Sequence, residues 1–233
     1  MAPRKAPLPE RRGYHHGNLK EALIAAARTL IAERGPAGFA LSEAARLAGV
    51  SAAAPYRHFK DRDALIAEVA RRGFAEFGRR LGAAWIGAET DPRAGFGRMG
   101  EAYLAFARAE PGYYGAMFAG GGGRSPSSGG ATTFGGLEQV IGRIVAARGD
   151  GAGPSAPDPR VLAYQVWAMS HGIAMLSAAG HIPDGEAAVR PDALLRSGVA
   201  ALLAGSARVG PGSSTSAARK PRKPSRLPRR AGA

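Results

Sequence analysis

The chain has 233 residues, no cysteine and a formal net charge of +14. This length suffices for one or two domains with a substantial core, and the lack of cysteine excludes a disulfide scaffold, a thiolate metal site and a cysteine nucleophile. Lys and Arg outnumber Asp and Glu by 13 to 7 in residues 1–72 and by 8 to none in residues 205–233, whereas residues 73–204 carry 11 of each. We therefore expect a polyanionic partner that contacts only the two basic ends.

No targeting signal is expected, because the basic residues near the start precede no apolar run. One segment, Val161 to Ala179, is almost wholly apolar but contains Gln165, Ser170 and His171. This polar content disfavours a transmembrane helix and favours a helix buried on all sides within a helical protein.

The first part of the chain is predicted to be an arm followed by a helix. Residues 1–13 are rich in Pro and Arg and should form a flexible basic arm. Asn18 is a suitable N-cap, with Glu21 three residues later as in a capping box. Apolar residues then recur on one helical face until Gly35, which precedes a proline and should end the helix.

Two short helices joined by a glycine-containing turn are predicted next. The first covers residues 42–48 and ends at Gly49, and the second covers residues 52–59 with Ser51 as its cap. Pro55 lies at the edge of the first turn of the second helix, where proline is tolerated. This arrangement predicts a helix-turn-helix.

The rest of the chain is also predicted to be helical, without any alternating strand pattern. Asp61 should cap a helix to about Trp85, and further helices are expected at about 96–107, 113–118, 137–147, 160–180 and 191–205. Between them we expect a mobile Gly/Ser-rich loop at 119–136, a Gly/Pro linker at 149–159 and a break at residues 181–183. Residues 206–233 should form a disordered basic tail.

Residues 18–69 resemble the TetR family of bacterial transcriptional regulators. The resemblance rests on the first helix and on the segments 48–51, 56–60 and 63–65, which occur in the family's order and spacing. It implies an all-α fold, with a three-helix helix-turn-helix DNA-binding domain over residues 14–62 and a helical ligand-binding and dimerisation domain over residues 63–205.

The second half resembles one type of TetR-family ligand-binding domain, which carries a W-x-x-x-H-G signature. Trp167, His171 and Gly172 match that signature. Further positions that resemble this domain are Tyr103, Phe106, Ala107, Pro111, Met117 and Phe118. In the first half, Ala40 departs from the family, which usually has a capping Ser or Thr there. We expect Ser42 to take over that cap, starting the helix two residues later.

The second short helix is expected to enter the DNA major groove, where base edges identify each pair. By resemblance, Tyr56 should donate its hydroxyl to a phosphate, and Arg57 should contact a base or a nearby phosphate. The small side chains that start this helix allow close approach and contact with thymine methyls. The predicted DNA-contacting residues are Lys20, Ser42, Ser51, Ala52, Ala53, Ala54, Tyr56, Arg57, His58, Lys60 and Arg62.

Alternative interpretations of these residues remain open. Tyr56 and His58 could serve in packing, and Arg57 could be a solvated charge. The arm could enter a minor groove or stay solvated. The tail could add sequence-independent affinity for DNA, with a steep dependence on salt, or remain solvated.

In the TetR family, which this chain resembles, the part that corresponds to the neutral middle binds a ligand and forms the homodimer. The helices at 160–180 and 191–205 should form a twofold four-helix interface, with close approach at Ser197, Gly198, Ala200 and Ala201. The candidate ligand contacts are Met99, Tyr103, Phe106, Met117, Phe118, Trp167, His171 and Met175. Each of these could instead be ordinary core. An apolar pocket with a few polar groups would suit a hydrophobic or aromatic effector.

The resemblance thus implies a homodimeric repressor, released from a near-palindromic operator by a small hydrophobic or aromatic ligand. The alternative is an architectural protein that coats DNA non-specifically and binds no ligand. An enzyme is disfavoured, because no histidine pair has metal-ligand spacing and residues 120–125 lack the Gly-Lys-Ser/Thr end of a phosphate loop. We expect no metal, no cofactor and no membrane contact, and a cytoplasmic, nucleoid-associated protein.

Overall fold

A computed structural model describes residues 19–88, 90–119, 128–147, 158–182 and 189–205. These residues form helices and turns without a β-strand, which confirms the all-α fold. The helices are α1 (Leu19–Arg34), α2 (Leu41–Leu47), a 3₁₀ helix (Ala54–Arg57), α3 (Arg62–Trp85), α4 (Pro92–Ala109), α5 (Pro111–Met117), α6 (Ser128–Ala146), α7 (Pro159–Ala178) and α8 (Pro191–Gly205). The predicted arm, the Asn18 cap, most of the predicted linker at 149–159 and the basic tail lie outside the described residues.

The N-terminal unit is built on the apolar face of α1. Leu23 and Ala27 of α1 are fully buried, and they pack with α2, with Phe59 and with Leu65 and Val69 of α3. Burial of this face stabilises a set of short helices that would not persist alone. The first turns of α3 therefore pack in the same core as the helix-turn-helix, although the predicted domain boundary falls at residue 62.

The expectation that Ser42 caps the first motif helix is wrong. α2 begins at Leu41, and Ala40 is its N-cap residue. Glu43 makes this start possible, since its Oε2 accepts a hydrogen bond from the Ala40 backbone N–H at 2.9 Å. Gly49 ends the helix as predicted: it has a φ of +73°, and the Val50 N–H donates to the carbonyl of Ala45 across the turn.

The second motif helix is shorter and tighter than predicted. Regular structure covers only Ala54–Arg57, as a 3₁₀ helix, and no side chain caps it, so the predicted Ser51 cap is also wrong. The Ser51 carbonyl accepts from the N–H of Ala54, and the Pro55 carbonyl accepts from both His58 and Phe59 at 2.9 Å. Pro55 has no N–H to donate and its ring is fully buried, so the segment closes as a compact turn.

A single long helix, α3, joins the N-terminal unit to the rest of the protein. As predicted, Asp61 caps it, with Oδ1 accepting from the Ala64 N–H at 2.7 Å, and it ends at Trp85. Its second half carries Phe77, which packs in a core formed with α4, α5, α7 and α8. A further core joins α4, α6, α7 and α8 around Ile141 and Ile144.

Two expectations for the second half are wrong. The predicted loop at 119–136 is already helical from Ser128, because Phe134 packs against Tyr164 and Trp167, with ring centroids 4.4 and 5.6 Å apart. Helix α7 is not buried on all sides, since Val161, Tyr164, Met175 and Leu176 are about half exposed. None of the helices in the described part of the chain is long and apolar enough to cross a membrane.

Candidate DNA-binding surface and ligand cavity

The predicted DNA-contacting residues lie on an exposed surface around the 3₁₀ helix. All of them are exposed except Ala54 and Arg62, which are half-buried. Tyr56 is 63% exposed, so its hydroxyl is not held in the core, whereas the neighbouring Phe59 is 5% exposed and anchors the motif. The buried Pro55 and Phe59 hold the segment, and the side chains between them point outward.

The basic side chains on this surface differ in how far they are engaged. Lys20 forms an ion pair with Glu68, and Lys60 with Asp61, both at 3.8 Å. The Arg62 guanidinium is held by Asp63. Arg57 makes no ion pair with any of the described residues. Among the predicted DNA-contacting cations, it therefore needs to break the fewest contacts to reach DNA.

Arg46 is a further candidate that the sequence reasoning missed. Helix α2 buries Leu41, Ala44 and Ala45, so Ser42 and Arg46 lie together on its opposite, exposed face. Their spacing of four residues was the signal that could have identified Arg46.

A cavity of about 1040 Å³ lies between α3, α4, α6, α7 and α8. Its walls are predominantly aromatic and aliphatic, and glycines at Gly78, Gly82, Gly97 and Gly100 leave space along α3 and α4. The large apolar lining residues are Phe74, Phe77, Leu81, Trp85, Phe96, Met99, Tyr103, Phe118, Phe134, Leu137, Val140, Val166, Trp167, Leu195, Val199 and Leu203. Such a cavity has the size and character of a small-molecule site.

Four of the eight predicted ligand contacts line this cavity: Met99, Tyr103, Phe118 and Trp167. The other four do not. Phe106 is fully buried and Met117 is 8% exposed, and both lie in the core behind the cavity wall. Met175 is about half exposed on the outside of α7. His171 is half-buried behind Phe118, with ring centroids 4.4 Å apart.

His171 is connected to the cavity through two tyrosines. The Tyr114 hydroxyl forms hydrogen bonds with Nδ1 of His171 at 2.7 Å and with the Tyr103 hydroxyl at 3.0 Å. Burial raises the pKa of Tyr103 to about 12 and also raises the pKa of Tyr114, while burial lowers the pKa of His171. Burial thus favours the neutral forms of these three groups, which form a hydrogen-bonded row from the cavity wall to α7.

The structure also places charged residues at the cavity that sequence reasoning missed. They are Arg93 and Glu101 on α4, Arg143 on α6, and Asp192 and Arg196 on α8. No local pattern marked them, because only the packing of these three helices brings them to one cavity. No group of acidic or histidine side chains within the described residues is arranged to hold a metal ion.

Comparison with solved structures finds chains of the same fold. A protein of unknown function from Rhodococcus sp. RHA1 is 31% identical, with a TM-score of 0.67, and the match covers 84% of this chain and 98% of that one. A TetR-family transcriptional regulator from Pectobacterium atrosepticum is 28% identical, with a TM-score of 0.52 and coverage of 82% and 95%. SmeT, the repressor of the Stenotrophomonas maltophilia multidrug efflux pump SmeDEF, is 18% identical, with a TM-score of 0.56 and coverage of 79% and 88%.

Sequence comparison agrees with the fold. No curated protein matches the sequence. Residues 23–69 match the family model of bacterial regulatory proteins of the tetR family, and residues 96–202 match the tetracyclin repressor-like C-terminal domain. With a helix-turn-helix at one end and a helical bundle at the other, this chain belongs to the TetR family of DNA-binding transcriptional regulators.

Proposed function

We propose that the protein is a homodimeric repressor that leaves a near-palindromic operator when a small, largely apolar ligand occupies the cavity. The observation that carries this proposal is the path of α3. Its first turns pack in the core of the helix-turn-helix, and its last turns supply Phe77, Leu81 and Trp85 to the cavity wall. A ligand that displaces this wall acts directly on the helix that positions the DNA-binding motif.

Helix α5 provides a second connection between the two units. Glu110, immediately before it, accepts hydrogen bonds from Arg28 of α1 at 2.8 Å and from Arg80 of α3 at 3.1 Å. Tyr114 of α5 contacts Tyr103, which lines the cavity. Release of DNA requires that the ligand prefers the conformation that fits the operator less well.

The homodimer is proposed from the outer face of α7. Val161, Tyr164, Ala168, Gly172 and Met175 follow one another at intervals of three or four residues, which places them on one face. Ala168 and the open space beside Gly172 allow a second helix to approach closely, between larger exposed apolar side chains. Exposure of such an apolar face to water is unfavourable for a single chain, and a twofold-related second copy would bury it.

In α8, Gly198 faces α7 of the same chain, because a Cβ atom there would meet the side chain of Met169. Ala200 lines the cavity, and Ser197 and Ala201 remain exposed.

Footprinting and gel shifts on the DNA around the protein's own gene, at two salt concentrations, test the proposal. A repressor gives a short footprint with twofold symmetry that survives competitor DNA, and an added ligand abolishes it. A diffuse footprint that competitor DNA removes would instead support the architectural protein.

A further inference from the structure

We infer that the ligand of this cavity is an amphipathic organic anion whose acid group is bound by Arg93 and Arg143. The inference rests on the proposed ligand-binding function and specifies the chemical class of the ligand.

The two arginines approach the cavity from facing helices. Arg93 is in the first turn of α4 and Arg143 is in the last turn of α6, and both line the large cavity. A small adjoining cleft of about 150 Å³ is lined by Arg93, by Ile144 of α6 and by Ala147, which follows that helix. The cleft gives room for a group of a few atoms beside Arg93.

The arginines around the cavity differ in whether an acidic side chain pairs with them. At α8, Arg196 is paired with Glu101 at 2.9 Å and with Asp192 at 3.1 Å. Arg93 and Arg143, in contrast, form no ion pair with any other described residue. Both arginines are also exposed to solvent, so two cations at the rim of the cavity are available to a ligand.

One carboxylate lies near these cations and offsets part of their charge. Asp91 lines the small cleft with Arg93, and its Oδ1 accepts the Ala94 N–H at 3.0 Å and caps α4. An acid group that reaches these arginines would receive charge-assisted hydrogen bonds, whereas an ammonium group would meet two like charges.

The remainder of the cavity requires an apolar body on the same ligand. Phe74, Phe77, Phe118 and Phe134 line it, and its volume exceeds what a small free anion needs. Apolar burial provides most of the affinity in such a site, and the two arginines select the head group.

Tryptophan fluorescence provides a direct measurement. The chain has two tryptophans, Trp85 and Trp167, and both line the cavity. Decanoate, decan-1-ol and decylamine share one chain and differ in the head group, so titrating each one separates the acid from the apolar body. We expect decanoate to bind about tenfold more tightly than decan-1-ol, a typical effect of hydrogen bonds to charged groups, and decylamine to bind most weakly.

The variants R93Q, R143Q and the double variant identify the source of the preference. The double variant should bind decanoate and decan-1-ol equally, with its affinity for decan-1-ol unchanged. R108Q removes an exposed arginine of α4 that does not line the cavity and should keep the wild-type preference. Unchanged decan-1-ol binding also shows that the variants are folded.

Two results would overturn the inference alone. One is equal binding of decanoate and decan-1-ol to the wild-type protein, and the other is a preference for decanoate that persists in the double variant. Absence of any fluorescence or melting-temperature change with all three probes would instead contradict ligand binding in the cavity, and thus the proposed function together with this inference.

Discussion

Gly112 lies against the backbone carbonyl of Arg28, so closely that a Cβ atom at residue 112 would clash with it. Helix α5 therefore packs on α1 backbone to backbone. The Arg28 side chain strengthens this contact, since it pairs with Glu110 at 2.8 Å and lies over the ring of Tyr113 at 4.1 Å. The DNA-binding unit thus packs directly against α5, and the same helix contains Tyr114, which is hydrogen-bonded to Tyr103 of the cavity wall.

Gly112→Ala is expected to destabilise the protein. A methyl group has to push α5 away from α1, and overpacking of this kind costs about 1–3 kcal/mol. The loss of stability is measured as the decrease in the free energy of unfolding, determined by urea denaturation. Gly135→Ala is the matched control, because a Cβ atom there meets nothing within 4 Å, and replacing a helical glycine by alanine is neutral or stabilising. Equal stability of the two variants would contradict the proposed close packing.

His171 should make the protein less stable in mild acid. Burial lowers its pKa below the ordinary 6.5. The unfolded chain binds a proton near that pH, while the folded protein does so only at lower pH, so the stability contributed by neutral His171 is present above 6.5 and is lost as the pH falls. The Tyr103 and Tyr114 hydroxyls do not titrate in this range, because burial raises both pKa values.

Urea unfolding at pH 7.5 and 5.5 tests this expectation. His171→Gln should lose less stability between the two pH values than the wild-type protein. His181→Gln, at an exposed histidine, is the control and should behave as wild type. If His171→Gln keeps the full pH dependence, other groups are responsible for it.

The sequence predicted those features of the fold that depend on local chemistry. Gly49 and Asp61 end and start their helices as expected, because caps act within a few residues. The start of α6 was missed, since residues 119–136 are rich in Gly and Ser and the helix there depends on Phe134 packing against distant Tyr164 and Trp167. Propensity alone does not report such a contact.

The candidate sites could be anticipated only in part. The exposure of Tyr56 agrees with the phosphate contact that the resemblance to a known DNA-binding motif implies. The separate resemblance of the second half to a ligand-binding domain indicated Tyr103 and Trp167, which line the cavity. Arg93 and Arg143 lie 50 residues apart on separate helices, and only the assembled bundle shows that they line the same cavity.

Met175→Glu is expected to produce a monomer. It places a charge on the exposed apolar face of α7, which we propose as the dimer interface, and an unpaired charge there disfavours association. Light scattering after size exclusion should give about twice the chain mass of 23.9 kDa for the wild-type protein and a value near 23.9 kDa for the variant. Ile86→Glu, at a residue 76% exposed, should leave the dimer intact. A wild-type protein of single-chain mass would exclude the interface.

Tyr56→Phe should weaken operator binding without affecting folding. The hydroxyl is on a side chain that is 63% exposed, so its removal costs no buried hydrogen bond. Loss of a phosphate contact reduces affinity by roughly 1 kcal/mol, or about fivefold. Fluorescence anisotropy with labelled operator measures the affinity, and an unchanged free energy of unfolding in urea is the control for folding. Unchanged affinity would show that Tyr56 does not donate to DNA.

Gly97→Leu should fill part of the cavity and reduce the response to ligand. Gly97 lines the cavity and has nothing within 4 Å of a Cβ atom, so a larger side chain enters empty space. The leucine buries apolar surface and favours the helix, so the melting temperature should stay equal or rise. The quenching of tryptophan fluorescence by decan-1-ol should weaken, since the same volume is no longer free. Gly135→Leu adds the same side chain on α6 outside the cavity lining and should leave quenching unchanged. If Gly97→Leu binds decan-1-ol as tightly as wild type, the alcohol occupies another part of the protein.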